Sequence, residues 1–69
     1  MGNQHDETAR KELGEKFKKA REMNGLTQLD VAEKTGMHVN YYARIERGEI
    51  NTSYEKLHKI AEVLNLKIL

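Results

Sequence analysis

The chain has 69 residues, enough for one domain with a limited core. It contains no cysteine and no proline, which excludes a disulfide scaffold, a Cys-ligated zinc site and a thiol nucleophile. Twelve basic against eleven acidic side chains leave a net charge of +1, so any nucleic-acid footprint must come from where the charges sit.

The composition, one-third charged and 38% hydrophobic, suits a compact helical domain better than a sheet or a disordered tail. No apolar run approaches the length needed to span a bilayer. The polar opening, Met1 to Thr8, carries no secretory signal, and the myristoylation pattern that Met1-Gly2 suggests fails at Asp6. The expectation is a cytoplasmic protein with no membrane partner. Residues 1–7 read as a mobile lead-in and residues 8–69 as a single domain.

In chain order, the first periodic segment runs from about Thr8 to Asn24. Ala9, Leu13, Phe17 and Ala20 recur at helical spacing, and charges fill the positions between them. The run Lys16, Lys18 and Lys19 reads as a solvated face. Asn24-Gly25 is a helix stop, followed by Leu26 as an apolar plug. Thr27-x-x-Asp30 has the form of a capping box, and the helix it opens is halted by Gly36. A further helix begins near His38 or Val39 and reaches Glu46, with Tyr42 and Ile45 facing inward. Thr52-x-x-Glu55 reads as a second capping box for a last helix that turns Leu57, Ile60, Ala61 and Leu64 inward. The closing Leu64-Asn65-Leu66-Lys67-Ile68-Leu69 alternates by twos and reads as a short strand. The fold class is therefore all-α, with four to five helices and that terminal strand.

Two short helices, about 28–35 and 39–46, are joined only by Gly36-Met37-His38. So short a link forces a steep crossing, and glycine permits the positive φ that the turn requires. The second helix is then presented outward, in a form that fits the major groove of B-DNA. The run Leu26-Thr27-Gln28-Leu29-Asp30-Val31-Ala32-Glu33-Lys34-Thr35-Gly36-Met37 resembles the helix-turn-helix opening of the phage repressor and Cro family, the XRE-like regulators. Tyr41-Tyr42-Ala43-Arg44-Ile45-Glu46-Arg47-Gly48 is similar to that family's recognition helix and the Glu-Arg-Gly that follows it. The resemblance spans roughly residues 13–66. Within the family, Met37-His38-x-x-Tyr41 and Glu46-Arg47-Gly48-Glu49-x-Asn51-x-Ser53 look most like restriction–modification controllers. The end of the chain also looks like that of small antitoxin repressors. The chain departs from the controllers at Val39, where they often carry Arg, and at Ile50, a loop position that is often basic. Tyr42 is bulkier than the usual core residue.

The candidate base contacts are His38, Val39, Asn40, Ala43 and Arg44. Arg44 can fork onto guanine O6 and N7, Asn40 can pair with adenine, and Val39 offers apolar contact to a thymine methyl. The plainer readings are that Arg44 touches phosphate, that Asn40 is solvated and that His38 is a helix cap. Thr27, Gln28, Tyr41, Arg47 and Asn51 are the candidate phosphate contacts, Thr27 serving first as a cap. Gln28 is otherwise a polar residue on a solvated helix, and Tyr41 otherwise packs on the first helix. The resemblance further implies that Arg21 and Glu46 form an internal salt bridge that fixes the recognition helix. Leu64, Leu66, Ile68 and Leu69 exceed what a small core needs and form the candidate dimer interface.

Catalysis has little to work with. His5, His38 and His58 lack metal-ligand spacing, the carboxylates are scattered among lysines, and there is no phosphate-binding glycine loop, so no cofactor is expected. The reading is a transcription regulator, a repressor or controller, that binds double-stranded DNA as a homodimer on a pseudopalindromic operator. The chain ends where an effector domain would begin, so none is expected. The alternatives are the antitoxin of a toxin–antitoxin pair, with a toxin as partner, and a protein-interaction module that has lost DNA.

Overall fold

The computed structural model describes residues 7–67 and contains four helices: α1 (Glu7–Met23), α2 (Gln28–Thr35), α3 (Val39–Glu46) and α4 (Tyr54–Val63). Helix α1 begins at Glu7, so the last residue assigned to the lead-in is already helical. Residues 1–6 of that lead-in lie outside the described residues.

Helices α2, α3 and α4 each start with a side-chain cap. Thr27 and Asp30 form the reciprocal capping box of α2: the Asp30 backbone N–H donates to Thr27 Oγ1 at 3.0 Å, and Thr27 N–H donates to Asp30 Oδ2 at 2.8 Å. His38 caps α3 through Nδ1, which accepts from the Asn40 backbone N–H at 3.1 Å. Ser53 caps α4 by accepting from Lys56 N–H at 3.1 Å. The second capping box expected at Thr52 and Glu55 therefore does not form, and the cap is the single Ser53 hydroxyl one residue later. The Thr52 hydroxyl is instead committed to Tyr41, with which it shares a hydrogen bond at 2.7 Å.

Among the described residues the four helices also end alike. A left-handed residue follows each one, Gly25, Gly36, Gly48 or Asn65. The backbone N–H of the next residue then reaches back five positions: Leu26 to Arg21, Met37 to Ala32, Glu49 to Arg44 and Leu66 to Ala61. This closure explains the segment expected as a strand. Leu64 ends α4, Asn65 turns left-handed at φ 56°, and Leu66 folds back onto the core, so no strand forms among the described residues. A period of two across a helix terminus imitates a strand because the reversal brings both leucines to the same side. Ile68 and Leu69 lie outside the described residues.

Phe17 of α1, Val31 of α2, Tyr42 of α3 and Ile60 of α4 are fully buried and meet in one core, with Ala32, Ile45, Ala61 and Leu64 around them. Each helix thus contributes one large side chain, and the small Ala32 and Ala61 let the backbones approach. Leu64 is 2% exposed. It completes the core of its own chain, a correction to its expected place on a dimer surface.

Helix α1 reaches the end of α3 through a glycine. A Cβ at Gly14 would lie 2.3 Å from the Glu46 carbonyl oxygen and 2.6 Å from that of Ile45. Only a residue without a side chain lets the two backbones meet there. Asn24 ties the other end of α1 to α4, its amide donating to the Ala20 carbonyl at 2.7 Å and to the Leu64 carbonyl at 3.2 Å.

Candidate nucleic-acid interface

Helix α3 has a buried arc and an open one. At about 100° per residue, Ile45, Tyr42, Glu46 and Ala43 occupy one continuous sector of roughly 160°. Ala43 is 8% exposed, and so is removed from the set of base contacts. It stands about 60° from Glu46 on the helix wheel, within the sector that faces the protein. Val39 falls in the same sector and packs partly against the core, leaving only a fraction of its surface outward. The exposed side of α3 is made by Asn40 and Arg44, with the exposed cap His38 before them and Arg47 after them. Because His38 Nδ1 accepts a hydrogen bond, the proton of the neutral ring is on Nε2, where it can be donated outward.

A buried ion pair holds this helix in place. Arg21, in the last turn of α1, donates through Nε to Glu46 Oε2 at 2.6 Å and through Nη2 to Oε1 at 3.1 Å. Its Nη1 donates to the Leu26 carbonyl at 3.0 Å, which ties the turn before α2 to the same guanidinium. Gln28 Nε2 donates to Glu46 Oε1 at 2.9 Å. The Gln28 amide, expected at a phosphate, is thus turned inward. The side chains of Arg21 and Glu46 are only 12% and 3% exposed. Burial pushes the Glu46 carboxyl up, but the hydrogen bonds from Arg21 and then Gln28 hold it below its ordinary value. The Arg21 pKa is raised by the same bond. The Tyr42 hydroxyl is buried against the pair without completing a hydrogen bond to either partner, and burial, followed by the Glu46 carboxylate, raises its pKa.

A second ion cluster lies on the outside. Arg47 donates through Nε and Nη2 to the two Glu49 carboxylate oxygens at 2.8 and 3.2 Å. Arg44 Nε stands 3.6 Å from Glu49 Oε1. Hydrogen bonding from Arg47 holds the Glu49 carboxyl below its ordinary value. Tyr41 is half-buried, bonded to Thr52 as described, with Lys56 Nζ 5.7 Å from its ring centre. Asn51 Oδ1 accepts from Arg10 Nη1 at 3.4 Å, and Arg10 Nε donates to the Gly48 carbonyl at 3.1 Å. Arg44 and Arg47 therefore lie at the C-terminal end of α3, while Tyr41, in its first turn, and Asn51 are tied to Thr52 and Arg10. Thr27 caps α2 at the other side of the motif.

Gly14 and Glu49 are the residues that sequence reasoning passed over. A glycine inside a helical run signals only weakened helix propensity until the neighbouring element is known. Glu49 lay within a quoted motif, but nothing in its spacing revealed that it faces both arginines. Among the described residues no group of three or more His, Cys, Asp or Glu is placed to hold a metal ion. No helix among them is long and apolar enough to cross a membrane.

Two short helices joined at a left-handed glycine, braced from behind and with an open polar face, define a helix-turn-helix domain. A family model described as helix-turn-helix matches residues 17–69, and the chain belongs to this XRE-like helix-turn-helix family. It is 34% identical over 56 residues to the immunity repressor protein of Bacillus phage phi105, an alignment that covers 81% of this chain and 39% of the repressor. The chain therefore spans less than half the length of that relative. It is 33% identical over 57 residues to an uncharacterised HTH-type transcriptional regulator, y4dJ, of Sinorhizobium fredii, covering 83% of this chain and 74% of the regulator. It is also 34% identical over 56 residues to the control protein C.SmaI of Serratia marcescens, covering 81% of this chain and 67% of that protein.

Proposed function

We propose that the chain is a sequence-specific DNA-binding transcription regulator of the repressor or controller type, acting in the cytoplasm as a homodimer on a pseudopalindromic operator. The observation that carries this reading is the exposed Asn40–Arg44 face of α3, held at a fixed attitude by the buried Arg21–Glu46 pair. Arg44 can donate a pair of hydrogen bonds to guanine O6 and N7, and Asn40 can both donate to and accept from an adenine edge in the major groove. Thr27, Tyr41, Arg47 and Asn51, with the backbone N–H groups that open α2, are the groups proposed to meet phosphates. The relatives, a phage immunity repressor, a transcriptional regulator and a control protein, support this class of function. The reading assigns no catalytic role to any residue.

One such unit contacts few base pairs, and two units on half-sites about 34 Å apart would supply the missing specificity. With Leu64 committed to the core, the proposed dimer contact rests on Leu66 and the two residues after Lys67. Removing residues 66–69 is expected to leave a helical monomer with much weaker operator binding. A truncated chain that still sediments as a dimer moves the interface to α4.

Selection of duplexes from a random pool with the purified protein tests the reading as a whole. The expected result is an enriched two-fold-symmetric site whose affinity falls steeply with salt. An unenriched pool with salt-insensitive binding would overturn it and favour a protein-interaction module.

A further inference from the structure

The closure shared by the four helices differs in one respect. The residue that folds back is apolar after α1, α2 and α4, where Leu26, Met37 and Leu66 each pack against the core. After α3 it is Glu49, exposed, with its backbone N–H bonded to the Arg44 carbonyl at 3.0 Å. A carboxylate cannot join the core, and the backbone bond keeps it beside the last turn of α3. There it accepts two hydrogen bonds from Arg47 and lies within ion-pair distance of Arg44. All three side chains are about half exposed, at 52% for Arg44, 56% for Arg47 and 45% for Glu49.

We propose that Glu49 is a specificity-determining residue: in the free protein its carboxylate occupies the guanidinium groups of Arg44 and Arg47, and DNA must displace it. The proposal rests on the reading of α3 as the DNA-contacting helix. Binding to random sequence is driven almost wholly by cations meeting phosphates. Glu49 opposes that contribution twice, by occupying Arg47 and by setting a negative charge where the phosphate backbone would approach. At a preferred site Arg44 gains a bidentate contact to a base edge, whose directional geometry a carboxylate at 3.6 Å does not match. Exposed ion pairs of this kind are weak, so the exchange is readily made when a better partner is offered. Glu49 therefore subtracts more from random than from preferred DNA, and so widens the ratio between them.

Glu49→Gln tests this, because it keeps the size of the side chain and one acceptor oxygen while removing its charge and the second acceptor. Glu15→Gln, on the exposed side of α1, is the control for net charge. The probes are a duplex selected from the random pool and a duplex of scrambled sequence, each titrated with protein over a range of salt. Glu49→Gln is expected to bind the scrambled duplex about fivefold more tightly, with a salt slope steeper by about one and a smaller gain on the selected duplex. Unchanged or weaker binding to both overturns the proposal, as does an equal gain on both or an equal gain in Glu15→Gln. A wild-type chain without salt-dependent affinity for any duplex overturns the DNA-binding reading itself. That outcome is distinct from a DNA-binding wild type that Glu49→Gln leaves unaltered.

Discussion

The protein carries two arginine–carboxylate clusters at the two faces of one helix, and burial separates their roles. Behind α3, Arg21 and Glu46 are nearly enclosed, hydrogen-bonded twice to each other and supported by Gln28. In front of α3, Arg44, Arg47 and Glu49 are half open to water. The chemistry is the same. Where water is excluded, neither partner of a pair can leave without stranding the other, and the pair becomes a fixed brace. Where water replaces each partner on departure, the pair is exchangeable and can be traded for a ligand. A helix that must be rigid in attitude yet chemically available on one side has use for both.

The sharpest way to break this contrast is to remove one partner of the buried pair. Arg21→Met is expected to cost about 3–5 kcal/mol, because it leaves a carboxylate buried without its counter-charge. A domain of this size has roughly 3–10 kcal/mol in total, so the variant should be largely unfolded on warming, as thermal melts monitored by circular dichroism will show. Glu46→Gln should also lose more than any substitution on the exposed face of α3. In a double-mutant cycle the two losses are expected to be strongly non-additive. Additive losses would mean that the side chains do not interact.

Acid gives the same brace a pH signature. The Glu46 carboxyl titrates below its ordinary value of about 4.5, so the folded chain binds its proton less readily than the unfolded one. The stability it contributes is complete above about pH 4.5 and is lost as pH falls through the depressed folded value. Wild-type melting temperature should therefore fall across that window, with a shallower fall in Glu46→Gln. Equal acid slopes in the two proteins would deny the pair its electrostatic role.

Gly14→Ala comes next in size, at about 1–3 kcal/mol, since the added methyl would collide with two backbone carbonyls of α3 that have little room to move. Denaturant midpoints measure it, and a neutral result would show that α1 can shift without cost. Gly14 also marks the limit of what the sequence discloses. Helix starts and stops were legible where one residue type answers one backbone need, as Thr27, Asp30 and Gly36 do. The Arg21–Glu46 pair was legible through resemblance. Features that depend on a third element were not. Ala43 is small enough to belong on either side of α3, and its helix-wheel position decides only once the buried sector is known. The Thr52 and Ser53 hydroxyls compete for one cap, and Tyr41 settles the contest by engaging Thr52. Leu64 and Leu66 read as a strand because a period of two does not record the left-handed turn at Asn65.

On the exposed side the expected losses fall on binding and leave the fold intact. Arg44→Ala should weaken binding to the selected duplex by about 1–3 kcal/mol and relax preference at one base pair, with melting unchanged. An equal loss on selected and scrambled duplexes would make Arg44 a phosphate ligand. The exchangeable cluster would then serve affinity alone.

The smallest effect is expected at Tyr41, which stands between the two regimes. Its ring is half-buried beneath Lys56, and its hydroxyl is bonded to Thr52 in the loop before α4. Tyr41→Phe keeps the ring, its packing and the cation above it, and removes a single hydrogen bond between neutral groups. Such a bond contributes about 0.5–1.5 kcal/mol net, less where water can replace it. The urea midpoint should drop by an amount within that range while the slope of the transition stays the same. If the hydroxyl pair also meets a phosphate, affinity falls by a similar factor for selected and scrambled duplexes, because a phosphate contact carries no sequence information. A stability loss with no change in affinity would place Tyr41 with the brace behind α3. A loss of affinity with no change in stability would place it with the exchangeable face.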